Sequence, residues 1–195
     1  MPHFICIGGH AQNGKSTTAT MIKQELEERG NKVLYTNYAD LLKYICKNYF
    51  SWNGEKDETG RSLLQHVGTD VVRNQNANYW VDFVLSVVSF FPKEWQYVIV
   101  GDTRFPNEIS RIGDSGYAHT FVKVRRPNFA SPLTEKQQQH PSEIALDAVV
   151  PDFTIINDGT IDDLRKNVKS LCDEIERSSV CDEEPEQLTF DFDGA

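Results

Sequence analysis

The stretch Gly9-His10-Ala11-Gln12-Asn13-Gly14-Lys15-Ser16 fits the pattern G-x-x-x-x-G-K-[ST] and is the most informative part of the chain. Its two glycines let the backbone curl around phosphate oxygens with the N–H groups pointing inward. Lys15 can reach the β- and γ-phosphates of a nucleoside triphosphate, and the Ser16 hydroxyl can ligate Mg²⁺. Residues 3–7 are typical of a buried strand, and residues 17–29 of a helix whose N-terminus faces the anion. This context predicts a phosphate-binding loop; the alternative is a glycine-rich turn that binds nothing.

The composition is that of one globular domain. The chain has 195 residues, of which 39% are hydrophobic and 25% charged. No apolar run approaches about twenty residues, and the start has no signal-peptide pattern, so we expect a cytoplasmic protein without a membrane span. Four scattered cysteines are expected to be reduced core thiols. The net charge of −9 argues against duplex nucleic acid as a partner, although six acids between residues 182 and 193 supply much of it.

Apolar, β-rich runs alternate with helical patterns along most of the chain. This alternation predicts an α/β fold, a three-layer sandwich with a parallel sheet of about five strands and helices on both faces. The expected strands are 3–7, 32–35, 97–100, 119–124 and 153–156. The expected helices are 17–29, 39–50, 61–74, 79–91, 106–114 and 161–177. We assign residues 1–177 to the nucleotide-binding domain, about 125–142 to a lid, and 178–195 to an acidic, disordered tail.

The arginines suggest what receives the phosphate. A phosphoryl group that moves onto an already phosphorylated acceptor brings several negative charges together, and cations must offset them. Arginine suits this task because its planar fork holds two oxygens at once. Arg104 follows the strand at 97–100, where ligands of open α/β sheets bind, and is expected to clamp the acceptor phosphate. Asp102 is expected to hold Mg²⁺ through water, and Glu108 to pair with Arg104 or to orient it; the alternative is a helix cap beside a surface arginine.

Further candidates for the acceptor side lie in three other segments. Arg61, Gln65 and Arg73 share one helical region, which could also be a solvated amphipathic face. Trp80 could stack on a base or fill the core. After the second strand, Asp40 and Lys43 are candidate substrate contacts, while an exposed helical lysine is the plain alternative.

The segment that begins at Arg125 is expected to be a lid, because it contains three prolines, three glutamines and no periodicity. A lid excludes water and so prevents hydrolysis of the donor. Arg125 or Arg126 is expected to be a transition-state cation, with Arg126 as our catalytic candidate and Lys136 as a second lid cation. After the last strand, Asn157 and Gly159 are expected to approach the adenine of the donor; the alternative is an ordinary turn that caps a helix. The complete set of donor-binding candidates is Gly9, Asn13, Gly14, Lys15, Ser16, Thr17, Asn157 and Gly159.

Several motifs together resemble the phage-type deoxynucleoside monophosphate kinases, and the match runs from Phe4 to Ile175. The specific parts are the Arg-x-Leu-Leu-Gln-x-x-Gly-Thr stretch at 61–69 and the Asp-x-Arg-Phe-Pro-Asn-Glu stretch at 102–108. The phosphate-binding loop and the Ile-x-Asn-x-Gly-Thr ending at 155–160 also resemble dephospho-coenzyme A kinases. Animal-type phosphomevalonate kinases share the Asp-x-Arg element and a lid followed by Ser-Glu. The other matching pieces are 38–43, 80–81 and 140–143.

The resemblance implies transfer of the γ-phosphate of ATP, with Mg²⁺, to a deoxynucleoside monophosphate, which yields the diphosphate for DNA synthesis. It implies that the three-layer sandwich is of the P-loop kinase type, that Lys15 and Ser16 serve the donor, and that a homodimer can form. On the acceptor side it implies roles for Arg61, Arg73 and Arg104. The lid departs from the family by having few basic residues. Alternatives are the same chemistry on phosphomevalonate, dephospho-coenzyme A or a modified base, or a nucleotide-binding protein without turnover.

The C-terminal tail lies outside this resemblance. Its segment Gln187-Leu188-Thr189-Phe190-Asp191-Phe192 resembles the short peptides that bind bacterial sliding clamps through a Gln followed by Leu and Phe. Clamp docking is therefore one hypothesis for the tail, and a plain disordered tail or a strand that packs on its own domain are the others. The expected location is the bacterial cytoplasm, that of the host if the protein is encoded by a phage.

Overall fold

A computed structural model describes residues 1–127, 129–131 and 133–181, with the side chains of 179–181 left out. The tail from 182 onward, including the segment resembling a clamp-binding peptide, lies outside these residues. The strands are β1 (His3–Gly8), β2 (Val33–Thr36), β3 (Tyr97–Val100), β4 (His119–Arg125) and β5 (Phe153–Ile156). The helices are α1 (Lys15–Glu28), α2 (Ala39–Tyr49), α3 (Glu58–Gln65), α4 (Tyr79–Phe90), α5 (Pro106–Asp114), α6 (Glu135–Gln138), α7 (Pro141–Ile144) and α8 (Ile161–Cys181), and a π-helical stretch (His66–Arg73) follows α3.

The five strands form one parallel sheet in the order β2-β3-β1-β4-β5. β1 lies in the middle, so the phosphate-binding loop that follows it emerges at the centre of the carboxyl edge. Asp102 and Arg104 follow β3, the direct neighbour of β1. The predicted α/β class, with its central parallel sheet, is confirmed.

Alternation along β1 divides the core into two layers. Phe4 and Cys6 face one side of the sheet, where they join buried residues of α2, α4 and α5. Ile5 and Ile7 face the other side, which α1 and α8 cover. All four side chains are fully buried, as expected for a strand that is covered on both faces. Helices on both faces complete the three-layer sandwich.

The structure differs from the sequence prediction in three segments. The helix expected at 61–74 begins at Glu58 and changes into the π-helical stretch at His66. The irregular segment contains the short helix α6, which Thr134 caps by accepting a hydrogen bond from the backbone N–H of Gln137. The last helix continues to Cys181, four residues past its predicted end, because the four polar residues 176–179 interrupt the apolar stripe after Ile175.

Two further expectations concern the whole fold. Within the described residues, no helix has the length and apolar content needed to cross a bilayer. Cys6, Cys46 and Cys172 are buried free thiols.

Candidate active site

The phosphate-binding loop depends on its two glycines. Gly9 has a φ of 132°, and a Cβ there would lie 2.3 Å from the carbonyl oxygen of Val124. Gly14 has a φ of 96°, and its Cβ would lie 2.3 Å from Nδ2 of Asn157. Both positions therefore exclude side chains, by backbone conformation and by space. This is why the loop can turn tightly between β1 and α1.

Lys15 is held at the mouth of this loop. Its Nζ donates hydrogen bonds to the carbonyl oxygens of Gly9 and His10, both at 2.7 Å. The side chain is buried, and this burial, reinforced by the positive charge of Arg104, lowers the pKa of Lys15 to about 7. A polyphosphate in the loop would favour the ammonium form, so Lys15 is electrostatically matched to an anionic ligand.

Asn157, which directly follows β5, stabilises the loop by hydrogen bonds. Its Nδ2 donates to the carbonyl oxygen of Asn13 at 2.9 Å, and its backbone N–H donates to the carbonyl oxygen of Arg125 at 2.8 Å. Asn13 in turn donates to the carbonyl oxygen of Val124 at 3.3 Å. These contacts connect the loop to β4 and β5. The contact of Asn157 and Gly159 with adenine stays a prediction, since the structure gives Asn157 a supporting role and neither residue lines the cavity described next.

A cavity of about 670 Å³ extends from the loop across the carboxyl edge of the sheet to α3 and the π-helical stretch. Six cationic side chains line it: Lys15, Lys43, Lys56, Arg61, Arg73 and Arg104. Gly14, Ser16, Gln65, Trp80 and Asp102 also line it, so six of the seven acceptor-side candidates and three of the eight donor-binding candidates meet around one space. The predicted residues that do not line it are Gly9, Asn13, Thr17, Asp40, Arg125, Arg126, Lys136, Asn157 and Gly159.

The π-helical stretch keeps one row of side chains on the cavity wall. Arg61, Gln65, Thr69 and Arg73 are each four residues apart, and all four line the cavity. In an α-helix such a row drifts around the axis by about 40° every four residues, because a turn takes 3.6 residues. The wider i→i+5 turn from His66 onward drifts in the opposite sense, which brings Arg73 back into line with Arg61. The sequence predicted a plain helix here, since the pattern of apolar residues does not distinguish the two.

Arg73 is fixed in place before any ligand arrives. Its Nη1 donates to Oε1 of Glu108 at 3.1 Å and its Nη2 to Oδ1 of Asn107 at 2.6 Å. The guanidinium carbon lies 3.6 Å from the centre of the Phe105 ring. These contacts hold the plane of the guanidinium, so binding an anion costs little ordering of this side chain.

Asp102 has a structural role and also keeps acceptor sites on its carboxylate oxygens that a ligand can use. Its two carboxylate oxygens accept the backbone N–H groups of Tyr38 and Ala39 at 2.8 and 3.0 Å, so it caps the start of α2. Burial raises the pKa of Asp102, and these two hydrogen bonds oppose that rise. Each oxygen keeps a second acceptor site, and the residue lines the cavity beside the loop. The helix-cap alternative therefore applies to α2 rather than to the helix after Arg104, and the Mg²⁺ role stays a prediction.

Arg104 pairs with an acid that the sequence did not suggest for this role. Its Nη1 donates to Oε1 of Glu143 and, at 3.1 Å, to the carbonyl oxygen of Ser142. Oε2 of Glu143 accepts the backbone N–H of Ala11, in the phosphate-binding loop, at 3.0 Å. Glu143 therefore connects the loop to Arg104, and its side chain is only 7% exposed. The sequence analysis proposed Glu108 as a partner of the Arg104 guanidinium, but the structure gives this role to Glu143.

Glu108 acts instead through the backbone. Its Oε2 accepts the N–H groups of Arg104 and Phe105 at 2.7 and 3.1 Å, while Oε1 pairs with Arg73. The carboxyl is almost fully buried, and burial raises its pKa to about 7. Glu108 thus orients the segment that carries Arg104, which is the second of the two roles expected for it.

Other predicted residues lie at the margin of the cavity or away from it. Lys43 lines the cavity and pairs with Asp40 at 2.7 Å, and their roles as substrate contacts stay predictions. Trp80 is 5% exposed and donates to the carbonyl oxygen of Gly68 at 3.0 Å, so it belongs to the core, although it also lines the cavity. Arg126 lies 4.5 Å above the Phe129 ring, outside the cavity wall. Its role as transition-state cation stays a prediction that requires the lid to move.

Lys56, Gln137 and Glu143 are among the lining residues that the sequence reasoning missed. Lys56 is in a polar loop that carries no periodicity, and nearby Lys43 and Arg61 help burial to lower its pKa. Gln137 is one of three consecutive glutamines in the lid, and nothing in the sequence distinguishes it from the other two. Glu143 was part of the Ser-Glu pair in the family resemblance, and that pair was the one available signal. The partners of Glu143, Ala11 and Arg104, are distant in sequence, so local patterns could not reveal its role.

The lowered pKa of Lys15 predicts a pH-dependent affinity for ATP. Above about pH 7 the lysine in the unliganded protein is largely neutral, whereas bound polyphosphate favours the charged form, so binding takes up a proton. The affinity should therefore fall as the pH rises from about 7.5 to about 9, by up to about tenfold per pH unit. Calorimetry in two buffers of different ionisation enthalpy measures both the affinity and the proton uptake.

Lys15→Arg is the matched variant for this measurement, because a guanidinium keeps its charge over the whole range. Its ATP affinity should change far less over the same pH range. Lys23→Arg, on the exposed side of α1, should retain the wild-type slope. A wild-type slope in Lys15→Arg would show that another group takes up the proton.

A phosphate-binding loop at the centre of a parallel sheet, facing a wall of cations across one cavity, defines a kinase of the P-loop class. Solved structures share this fold. A dephospho-CoA kinase from Campylobacter jejuni has 14% identity and a TM-score of 0.52, and the match covers 91% of this chain and 98% of that one. An APS kinase from Mycobacterium tuberculosis in complex with AMPPNP and APS has 13% identity and a TM-score of 0.50, over 90% and 98% of the two chains.

The family model for deoxynucleotide monophosphate kinase matches residues 31–168, and the chain belongs to this family of phosphotransferases. The deoxynucleotide monophosphate kinase of Enterobacteria phage T4 is 30% identical over 81% of this chain and 61% of its own length. That of Escherichia phage RB69 is 31% identical over 69% and 53%. A protein of Acanthamoeba polyphaga mimivirus, named provisionally for the same activity, is 27% identical over 87% and 96%. The matched region thus covers less than two thirds of the two phage proteins, but nearly all of the mimivirus protein.

Proposed function

We propose that this protein transfers the γ-phosphoryl group of ATP to the 5′-phosphate of a deoxynucleoside monophosphate and releases the diphosphate and ADP. The observation that carries the proposal is the single cavity shared by the phosphate-binding loop and by Arg61, Arg73 and Arg104. A nucleotide-binding protein without turnover has little use for such a set of cations opposite the triphosphate. The family membership supports the same substrate class.

On the donor side, the loop N–H groups and Lys15 would hold the phosphates of ATP. Phosphate oxygens would replace the carbonyl partners of the Lys15 ammonium, which then bridges to the transferring group. Its charge offsets the negative charge that develops on the oxygens of this group. Because Lys15 is buried, this attraction is less screened than it would be in water.

The residues present fit a Mg²⁺ ion held mainly by substrate and water. Among the described residues, no group of three or more His, Cys, Asp or Glu side chains could hold a metal. Mg²⁺ in kinases is usually bound by one or two protein oxygens, by phosphates and by water. The Ser16 hydroxyl and the open acceptor sites of Asp102 would supply the protein contacts. When bound, the ion neutralises charge on the β- and γ-phosphates.

On the acceptor side, Arg61, Arg73 and Arg104 would hold the monophosphate in line with the γ-phosphate. Arg73 is already oriented by Glu108 and Asn107, whereas no ion pair within the described part of the chain involves Arg61. The acceptor needs no general base, since a phosphate monoester is largely ionised at neutral pH. Catalysis then consists of positioning and charge compensation.

Lid residues supply the remaining wall of the cavity. Leu133 and Gln137 of the lid line it together with Ser142 and Glu143. As part of the cavity wall these residues would keep water away from the bound substrates, and this exclusion of water favours transfer over hydrolysis of ATP. Arg126 would reach the site only through movement of this lid.

The test of the proposal is coupled ADP release with ATP, Mg²⁺ and a panel of monophosphates. At least one deoxynucleoside monophosphate should raise ADP release well above the rate with ATP alone. Phosphomevalonate, dephospho-coenzyme A and the ribonucleotides serve as the comparison substrates. If only a member of this second set is phosphorylated, the alternative acceptor replaces the deoxynucleotide. If none of the compounds raises the rate, the protein is not a kinase of this type.

Location and association stay as proposals. The phage relatives support action in the cytoplasm of an infected bacterium. A homodimer is expected from the family resemblance, and light scattering of the purified protein measures it. Clamp docking concerns residues 187–192 alone; a tail peptide that captures no more sliding clamp than its scrambled version would disprove it.

A further inference from the structure

Gln137 carries a buried hydrogen-bond donor that has no partner. The residue is 6% exposed, and its Nε2 makes no hydrogen bond within the described part of the chain. Its Oε1 accepts the backbone N–H of Thr134 at 3.3 Å, which orients the amide with the NH₂ group on the other side. A buried donor left unpaired costs about 1–3 kcal/mol, so such groups usually serve a ligand or a function.

The position of Gln137 places this N–H group in the part of the cavity that is expected to bind the acceptor nucleotide. Gln137 lines the cavity together with Leu133. Its carbonyl oxygen accepts the N–H of His140 at 3.3 Å, and Nε2 of His140 lies 3.7 Å from Oδ1 of Asp70 in the π-helical stretch. The lid therefore lies against the element that supplies Thr69 and Arg73, rather than against the far side of the phosphate-binding loop.

The chemistry of the Nε2–H group indicates which part of the acceptor nucleotide it contacts. The six cations around the cavity already match the phosphates of both substrates. A neutral amide beside apolar Leu133 adds no charge, but it can donate to a carbonyl oxygen or a ring nitrogen. Such atoms belong to a nucleobase, and a base also fits the partly apolar lining that Leu64, Leu133 and Trp80 contribute.

We propose that Gln137 is a specificity-determining residue whose side-chain Nε2–H donates a hydrogen bond to the base of the acceptor nucleotide. This inference rests on the proposed function. The Nε2–H group of Gln137, which is buried and has no hydrogen-bond partner among the described residues, donates to the base of the substrate. Closure of the lid over the correct acceptor is thereby coupled to recognition of its base.

The test compares Gln137→Leu and Gln137→Met with Gln138→Leu. Both changes at 137 remove the donor without adding a charge, and Met keeps the length of the side chain. Gln138 is the matched control, because it is exposed and its Nε2 already donates to the carbonyl oxygen of Leu133 at 2.7 Å. With an acceptor that the wild type uses, the KM for that acceptor should rise about five- to tenfold in both Gln137 variants, and the KM for ATP should stay within about twofold.

A probe without a base separates this contact from one to the sugar or phosphate. 2-Deoxyribose 5-phosphate keeps both of these groups, and its inhibition constant against the acceptor should be the same in wild type and in the Gln137 variants. Gln138→Leu should leave both the acceptor KM and this constant unchanged. An unchanged acceptor KM in the Gln137 variants would overturn the proposal, as would equal weakening of nucleotide and sugar phosphate. Wild-type turnover on the deoxynucleotide, measured first, tests the proposed function separately.

The stability of the variants gives an independent reading. Removal of an unpaired buried donor should not lower the melting temperature of the unliganded protein beyond the small cost of the Thr134 contact. The increase in melting temperature that the acceptor produces should shrink in Gln137→Leu and persist in Gln138→Leu. A purely structural Gln137 would show the reverse: a lower melting temperature and an unchanged shift with the acceptor.

Discussion

Lys15→Ala should lower kcat by about a thousandfold, the largest effect of any single change considered for this protein. The lysine is the one cation that lies within the phosphate-binding loop itself, where it donates to the carbonyl oxygens of Gly9 and His10. Removal of its charge leaves the developing charge on the transferring group without its nearest compensation. Steady-state kinetics with saturating ATP and acceptor measure the loss.

Lys23→Ala is the matched control for this change. It removes a lysine from the same helix, but there the side chain is exposed and pairs with Glu27 at 2.8 Å. Such a surface pair contributes little, so kcat should stay within about twofold of the wild-type value. A loss of less than tenfold in Lys15→Ala, with protein that melts like the wild type, would contradict the role of Lys15 in transfer.

The sequence predicted those parts of the fold that depend on local patterns. β1, the phosphate-binding loop and α1 follow from glycine spacing and from a run of apolar residues, and the parallel sheet follows from the alternation of strands and helices. The change from α3 to a π-helix at His66 leaves no such trace, because Arg61 and Arg73 are compatible with either type of turn. The end of α8 was missed because the polar residues 176–179 interrupt its apolar stripe after Ile175.

The candidate site likewise contains some residues that local sequence patterns predicted and others that they did not. Lys15, Arg73 and Arg104 were predicted because strand ends and a motif bring them to one edge of the sheet. Their acidic partners were not, since Glu143 reaches Ala11 across 132 residues of sequence. Only the folded chain joins these groups. Arg126 shows the converse: its position at the start of the lid suggested a cation at the site, but the structure leaves it stacked on Phe129.

Arg104→Ala should lower kcat/KM for the acceptor by about a hundredfold, mainly through KM, while the KM for ATP changes by no more than about twofold. Arg104 faces the cavity beside Asp102, where its guanidinium can hold two oxygens of the acceptor phosphate. Arg104→Lys keeps the charge but loses the fork, so it should recover only part of the activity. Arg111→Ala is the control, because Arg111 lies on α5 in an exposed pair with Asp82.

Loss of Arg104 also leaves a buried acid without its cation, and this effect must be separated from substrate binding. Among the described residues, Glu143 would retain only the backbone N–H of Ala11 as a partner, so Arg104→Ala alone should lower the melting temperature. Adding Glu143→Gln removes the stranded charge and keeps an oxygen for that N–H group. The double variant should therefore recover stability without recovering use of the acceptor. If stability and acceptor KM return together, then Arg104 acts by holding Glu143 in place; if only stability returns, Arg104 contacts the acceptor itself.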